Sequence, residues 1–379
     1  MFAKLRPKHR ASKKSGFSES YYVASQWQLM RRKYRRHKLA RVGMVILSIF
    51  YLVAIFSGFL SLNDYQKRDV NHVTMPPQKL HFVDNERTFH LLPFVCNYTY
   101  TLDMNTLERR FTEDTSECYS IQLLVHSHPY EFWGILETDL HLFGVESPGY
   151  YFPFGTDEMG RDLFSRNIYA SRISLSIGFA GVFISFFLGS IIGGISGYFG
   201  GAADMVIQRL IEFIISIPAI PLWIALAAAL PHHWSSVEVY FGITIVLATV
   251  GWTTLARTVR GKFLELREAD FVMAAKISNM SDFQIILKHL LPSFASYLIV
   301  ILTLAVPGMI LGETALSFLE IGIRPPAVSW GVLLQDAQNI RSLSLHPWLF
   351  LPAIFVMIAV LSFNFIGDGL RDAADPYKQ

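Results

Sequence analysis

An all-α integral membrane protein with about six transmembrane helices is the fold class that three features of the sequence predict. Apolar residues fill 52% of the 379 positions, while charged residues reach only 17%, and the mean hydropathy is positive. Six apolar stretches approach or exceed the roughly 20 residues needed to cross a hydrocarbon core. Lys and Arg cluster where such a chain would face the cytosol. A soluble enzyme of this size seldom has that composition.

Residues 1–42 form a basic segment, with KLRPKHR near the start and RRKYRRHKLAR at 31–41. Such blocks serve nucleic acid or a membrane surface. The second block runs directly into GMVILSIFYLVAIFSGFL, so the positive-inside rule accounts for it with no nucleic acid partner. The leader is too long for a signal peptide and no small-residue cleavage site closes the apolar run. The first span, 43–62, therefore reads as an uncleaved anchor with a cytosolic amino terminus.

Residues 63–166 read as an outer-facing, periplasmic insert between the first and second spans. Its acidic side chains outnumber its basic ones, and its prolines, asparagines and aromatics look like a small folded unit. Both cysteines of the chain, Cys96 and Cys118, fall within it. They would pair in an oxidising compartment, or remain as two buried thiols. His126, His128 and His141 lie nearby, but neither CxxC nor HxxxH spacing supports a metal site, and none is expected.

Five further spans are predicted within 167–379, at 168–198, 206–230, 237–257, 294–319 and 347–366. With the amino end inside, six crossings return the carboxyl end to the cytosol. The charges agree with that topology. The connection 257–288 carries Arg257, Arg260, Lys262, Arg267, Lys276 and Lys288, whereas PHHWSSVEVY has no Lys or Arg and the loop after Leu319 has only Arg324 and Arg341.

No GxxxxGK[ST] phosphate loop, GxSxG turn or HExxH pair occurs in the chain, so neither nucleotide hydrolysis nor familiar hydrolase chemistry is assigned. Energy for any active process must come from elsewhere. Attention falls on the connection at 257–292, far longer than a turn between two spans requires. Apolar residues recur at helical spacing in Phe271, Val272 and Ala275 and again in Phe283, Ile286 and Leu287, with SNMSD between them, which predicts short helices.

This segment resembles the cytosolic EAA loop of binding-protein-dependent ABC transporter permeases. The family pattern is EAA, three residues, Gly, nine residues, Ile, any residue, then LeuPro. Ala274, Ala275, Leu291 and Pro292 match it, while Met273, Asn279 and His289 stand at the Glu, Gly and Ile positions. The His variant and the preceding Arg267-Glu268-Ala269-Asp270-Phe271 are similar to the peptide and nickel branch, of the oligopeptide/dipeptide permease C type. In that family the loop forms a coupling helix that inserts into a groove of an ATPase subunit. The resemblance carries the role to Glu268, Ala269, Asp270, Ala274, Ala275, Asn279, His289, Leu291 and Pro292. Gly between two short helices supplies a positive φ; Asn279 is a tolerated substitute.

Three more stretches resemble the same branch: GTDEMGRDLFSR from Gly155, LSFLEIGIRPPAVSWG after the fifth span, and FNFIGDGLRDAADP at the carboxyl end. With Trp27, Arg31, Arg32 and Lys38-Leu39-Ala40 they cover most of the chain outside the insert. The first stretch, with Gly155, Thr156, Asp157, Gly160, Arg161 and Asp162, reads as a helix entry at the outer surface, with Thr156 or Asp157 capping exposed amides. Within the spans, Glu212 and Glu313 are translocation-path candidates, because intramembrane carboxylates face protein or a wet cavity; a polar contact between helices is the other reading. Trp223 and Trp252 either brace a peptide-sized tunnel or, as aromatics in spans more often do, face lipid or pack in the core. Gly189, Gly193, Gly194 and Gly197 allow close helix packing.

The resemblance implies a permease subunit of an ATP-driven importer in a bacterial plasma (inner) membrane. Its partners would be a second permease subunit, two ABC ATPase subunits, an extracytoplasmic solute-binding protein, membrane lipid, and a peptide or similar small-solute substrate. The chain itself would be non-catalytic and hold no cofactor, with ATP and Mg bound by the ATPase subunits. Two alternatives stay open: an ion-coupled secondary transporter using Glu212 and Glu313, and a membrane sensor or assembly protein using the insert.

Overall fold

The computed structural model describes residues 26–84, 87–104 and 109–374; the basic run KLRPKHR lies outside them. Among the described residues, five helices are long and apolar enough to span a membrane, and a bent pair raises the number to six. The amino-terminal helix Gln26–Arg36 precedes the first span, Lys38–Ile55. Met30 and Tyr34 on its buried side pack with Ala40 and with Ala373 at the end of the last span. The described amino and carboxyl ends therefore share one membrane face. After a break at Phe56, Ser57–Leu60 completes the first span.

The second span, Leu163–Phe199, has 37 residues. At about 1.5 Å per residue it is nearly twice as long as a hydrocarbon core about 30 Å thick requires, so its ends stand clear of the lipid. The third span departs from the single helix predicted at 206–230. It consists of Gly201–Ser216 and Ala219–Ala228, bent by 88°. The cause is Pro218, which forces Ile217 out of helical geometry (φ −90°, ψ 127°) and supplies no N–H to continue the ladder.

Does the bent pair cross the membrane? Helix directions decide it. Along the second span, a Cβ placed on Gly189, Gly193 or Gly197 would lie within 3 Å of the backbone of Trp252, Ala256 and Arg260 respectively on the fourth span, Ser236–Leu266. The numbers rise together, so these two helices run parallel. Whatever connects them must carry the chain back to its starting face, and the bent pair does so. These close approaches also show what the glycines do: helix backbones pack where a side chain would hold them apart. The fifth span, Ala295–Phe318, is antiparallel to the fourth, with Gly312 against Leu247 and Gly251 against Met309. The sixth, Leu351–Ala374, follows the short turn Pro347–Phe350. Between the last two spans, a loop containing Trp330–Leu333 folds inward and buries Trp330 completely.

The insert is built of strands. β1 (His81–Val83), β2 (Phe89–Leu102) and β3 (Arg109–Ser120) form an antiparallel sheet in that order, and β4 (Gln122–Phe132) pairs with β5 (Leu136–Gly144) in a separate hairpin. Leu62, Val95, Ile121 and Tyr151 form its small core. Cys96 and Cys118 face each other across β2 and β3 and are joined as a disulfide, the paired alternative of the two. Thiol-reactive polyethylene glycol should add to the denatured chain at neither cysteine before reduction and at both after it. Replacing both by Ala should loosen the insert by about 3 kcal/mol, the scale expected for a closed loop of this length.

Candidate functional site

The long connection after the fourth span forms the hook that the spacing predicts. Asp270–Ile277 is a helix, Asn279 turns the chain with φ +57°, and Asp282–Ile285 begins a second helix that runs through a wide π-turn at Ile286–Leu290. Ser281 and Gln284 cap this second helix reciprocally. Val272, Ala275, Ile285 and Leu290 point inward and pack with Leu255, Val259 and Phe263 of the fourth span and Phe294 and Leu298 near the fifth. The hook is thus welded to two spans. Tyr198, at the end of the second span, donates to Asp282 at 2.6 Å and stacks beneath Lys276.

The opposite side of the hook is bare and apolar. Ile277 is 87% exposed and Phe283 71%, with Phe271, Met273 and Leu287 also exposed. Glu268, Asp270, Ala274, Asn279 and Pro292 are exposed as well, and Ala269, His289 and Leu291 are partly so. Ala275 differs from the others expected to meet a partner: it is buried. Helical periodicity puts it on the same inward face as Val272, three residues earlier. Pro292 falls in the short turn Leu291–Ser293, and the fifth span starts after a break at Phe294.

The motif from Gly155 to Asp162 is a knot of buried polar groups at the membrane face opposite the hook. Gly155 and Gly160 adopt φ +71° and +73°, with backbone from 75–77 and Asp69 pressed against them, so any side chain would collide. Thr156 accepts from the Met75 amide and donates to the His72 carbonyl, and its own carbonyl accepts from Trp348. Asp157 accepts from the amides of Met159 and Arg161 and pairs with Arg161 at 2.7 Å and with Arg166 at 3.4 Å. The helix cap is neither Thr156 nor Asp157 but Asp162, which accepts from the Phe164 and Ser165 amides, the Ser165 hydroxyl and the Asn63 side chain. The knot joins the insert, the second span and the start of the sixth. Arg166, Asp336 and Trp348 belong to it and were not singled out from the sequence; Asp336 and Trp348 lie far along the chain from the motif, so no local spacing joins them to it.

Burial pushes the Asp162 carboxyl up to about 6, against the opposing pull of its hydrogen bonds. Burial, with Asp157 close by, also raises Asp336 to about 6. A native pKa above the unfolded value means that the folded chain binds the proton more tightly. This rim therefore gains stability as pH falls through about 6, with the gain complete below the ordinary value of 3.8. Melting of the detergent-solubilised chain should show this as a difference: relative to Asp162→Asn/Asp336→Asn, the natural chain gains stability between pH 7 and pH 5. The comparison cancels His128, whose pKa burial lowers to about 4 and which acts in the opposite direction.

The four translocation-path candidates are not brought together. Glu212 lies exposed on the bent third span and pairs with Arg209 at 2.9 Å. Glu313 is wholly buried; Ser174 and Ser317 donate to it. Ser174 also accepts from the Trp330 amide, so Glu313 helps to fasten the inward-folded loop. Trp252 is buried with Ile211 and Ala256 between the third and fourth spans. Trp223 is partly buried, with its ring over Gly312. Among the described residues, no group of three or more His, Cys, Asp and Glu side chains is placed to hold a metal ion.

This arrangement defines a multi-span helical membrane subunit that presents a rigid apolar hook at one face. Residues 186–378 match the family of binding-protein-dependent transport system inner membrane components, and residues 25–77 match the N-terminal transmembrane domain of oligopeptide transport permease C. The oligopeptide transport system permease protein OppC of Haemophilus influenzae is 44% identical over 229 residues, 60% of this chain and 71% of that one. The dipeptide transport system permease protein DppC of Bacillus subtilis is 41% identical over 224 residues, 59% and 68%. DppC of Alkalihalophilus pseudofirmus is 31% identical over 360 residues, 94% and 92%. The chain belongs to the family of binding-protein-dependent transport system inner membrane components. It is a permease component of an ABC importer, a multi-pass inner-membrane protein and a non-catalytic subunit.

Proposed function

We propose that this chain lines one half of the pathway by which an ABC importer admits peptides or similarly sized solutes. A second permease subunit supplies the other half, two ATPase subunits bind Mg and ATP, and an extracytoplasmic binding protein delivers the solute. The amino and carboxyl ends and the hook face the cytosol, and the insert faces outward. The hook carries this reading, because an apolar surface held rigidly at the Lys- and Arg-rich face is what a protein partner needs and water does not favour. Glu268 to Pro292 form the coupling segment. Within it Ala275 fixes the hook to the spans, and Phe271, Met273, Ile277 and Phe283 meet the ATPase. Since the hook shares a core with the fourth and fifth spans, movement of the ATPase surface becomes a tilt of those spans. Peptide as the substrate class is supported by the names of the relatives. Glu313 and Trp252 are enclosed between helices of this chain, so of the four candidates only the exposed Glu212 and the partly buried Trp223 stay available to line the pathway. A carboxylate enclosed by serine hydroxyls, as Glu313 is, is also poorly placed for ion coupling from water.

Affinity purification of the solubilised chain from its native membrane, with a nucleotide analogue present, tests the reading. An ABC ATPase and a second permease should copurify. Repeated recovery of the intact chain alone, or only with copies of itself, would reject it.

A further inference from the structure

We infer that the tip of the β4–β5 hairpin is a lipid anchor, seated in the outer leaflet beside the first span. The turn Phe132-Trp133-Gly134-Ile135 is closed by the Ile135 amide on the Phe132 carbonyl at 3.1 Å. Its central residues have φ +55° and +68°, the signs that a tight hairpin turn of the primed type requires. Asn, Asp or Gly is usual at the first central position, and a bulky residue there is a conformational outlier. Strain of that kind points to something the side chain does.

The Trp133 ring is fixed at a defined depth. Its Nε1 donates at 3.0 Å to the carbonyl of Ile55, the last residue of the Lys38–Ile55 span, and Arg172 stands 4.5 Å from the ring centroid. Phe132 packs against Phe56, with ring centroids 5.9 Å apart. The turn is therefore held beside the first span within about two helical turns of its end at Leu60. Trp favours that level of a bilayer, with its ring body in the apolar zone and its N–H near polar groups.

The far side of the turn has no protein cover among the described residues. Ile135 is 89% exposed, Leu136 61% and Trp133 51%. This surface continues without a break onto the first span: an apolar groove of about 580 Å³ runs between them, lined by Leu52 and Phe56 on one side and Phe132 and Leu136 on the other. Its continuity with a span's outward face, at a depth set by Ile55, identifies the occupant as lipid. Glu131 and Glu137, opposite each other one register step from the tip and both exposed, set the limit of immersion. Only the turn enters, to the boundary between headgroups and acyl chains.

The test uses the full chain reconstituted with its partner subunits in vesicles of phosphatidylethanolamine and phosphatidylglycerol. Ile135→Cys carries a nitroxide; the two native cysteines are held in the disulfide and take no label. Ile135 makes so little contact that its replacement removes no packing. Collision with oxygen should exceed collision with a water-soluble nickel chelate several-fold at 135, and the order should reverse at Glu137→Cys and at Leu91→Cys on β2. Nickel access at 135 equal to that at 91 would place the turn in water and overturn the inference. Exclusion of both probes at 135 would show protein covering the tip and overturn it equally.

Discussion

Ile277→Asp and Phe283→Asp should each leave the chain inserted and folded while cutting ATP-driven uptake at least tenfold and releasing the ATPase during purification. Both side chains are bare on the hook, so the substitutions break no internal packing. At a protein interface, central apolar anchors each contribute about 2 kcal/mol or more, and a buried unpaired carboxylate adds a desolvation cost. Ala275→Phe offers the contrast. It also weakens coupling, but by forcing a ring between the hook and Val259 or Phe263, so its first symptom is a lower melting temperature. If Ile277→Asp and Phe283→Asp leave both uptake and ATPase recovery unchanged, the hook is not the coupling surface.

The hook was legible because its information is local. Apolar spacing gave the two short helices, and the residue between them had to tolerate positive φ, as Asn279 does; it did not give their sides, since Phe271, Phe283 and Leu287 are exposed while Val272 and Ala275 are buried. Spans are legible for the same reason, since each is a contiguous apolar run. The bend at Pro218 was written in the sequence as Ile217-Pro218, yet the apolar run continues through it, and hydropathy alone does not register a broken ladder. The insert was harder to read. Its strands carry exposed Leu91, Leu92 and Leu123 beside buried Val95, so neither periodicity nor burial alternates cleanly along them. Its pairing depends on partners distant in sequence, as with Cys96 and Cys118. Around Glu313, Ser317 stands one helical turn further along the same span, at a spacing the sequence shows, but Ser174 approaches from another span and nothing near position 313 announces that contact.

The polar knot around Asp157 supplies the second large effect, and its sign depends on which charge is removed. Asp157→Ala should destabilise the folded chain by about 3 kcal/mol, the scale of breaking a buried ion pair from one side. It strips a counter-charge from Arg161 and Arg166, both mostly buried, and removes the acceptor for two backbone amides. Asp336 limits the loss. Burial and the negative charge of Asp157 hold its carboxyl up to about 6, so at pH 7.5 it is already ionised, and removing Asp157 relieves a like-charge repulsion while leaving Asp336 as a negative charge acting on Arg166. Removing Arg166 as well should recover part of the stability, because Asp157→Ala/Arg166→Met leaves fewer uncompensated charges than Asp157→Ala. Melting of the natural chain, Asp157→Ala, Arg166→Met and the double variant in one detergent at pH 7.5 closes a double-mutant cycle. An additive result would mean that the 3.4 Å approach of Arg166 to Asp157 contributes nothing, and that the knot is held by the backbone hydrogen bonds of Asp157 and Thr156 instead.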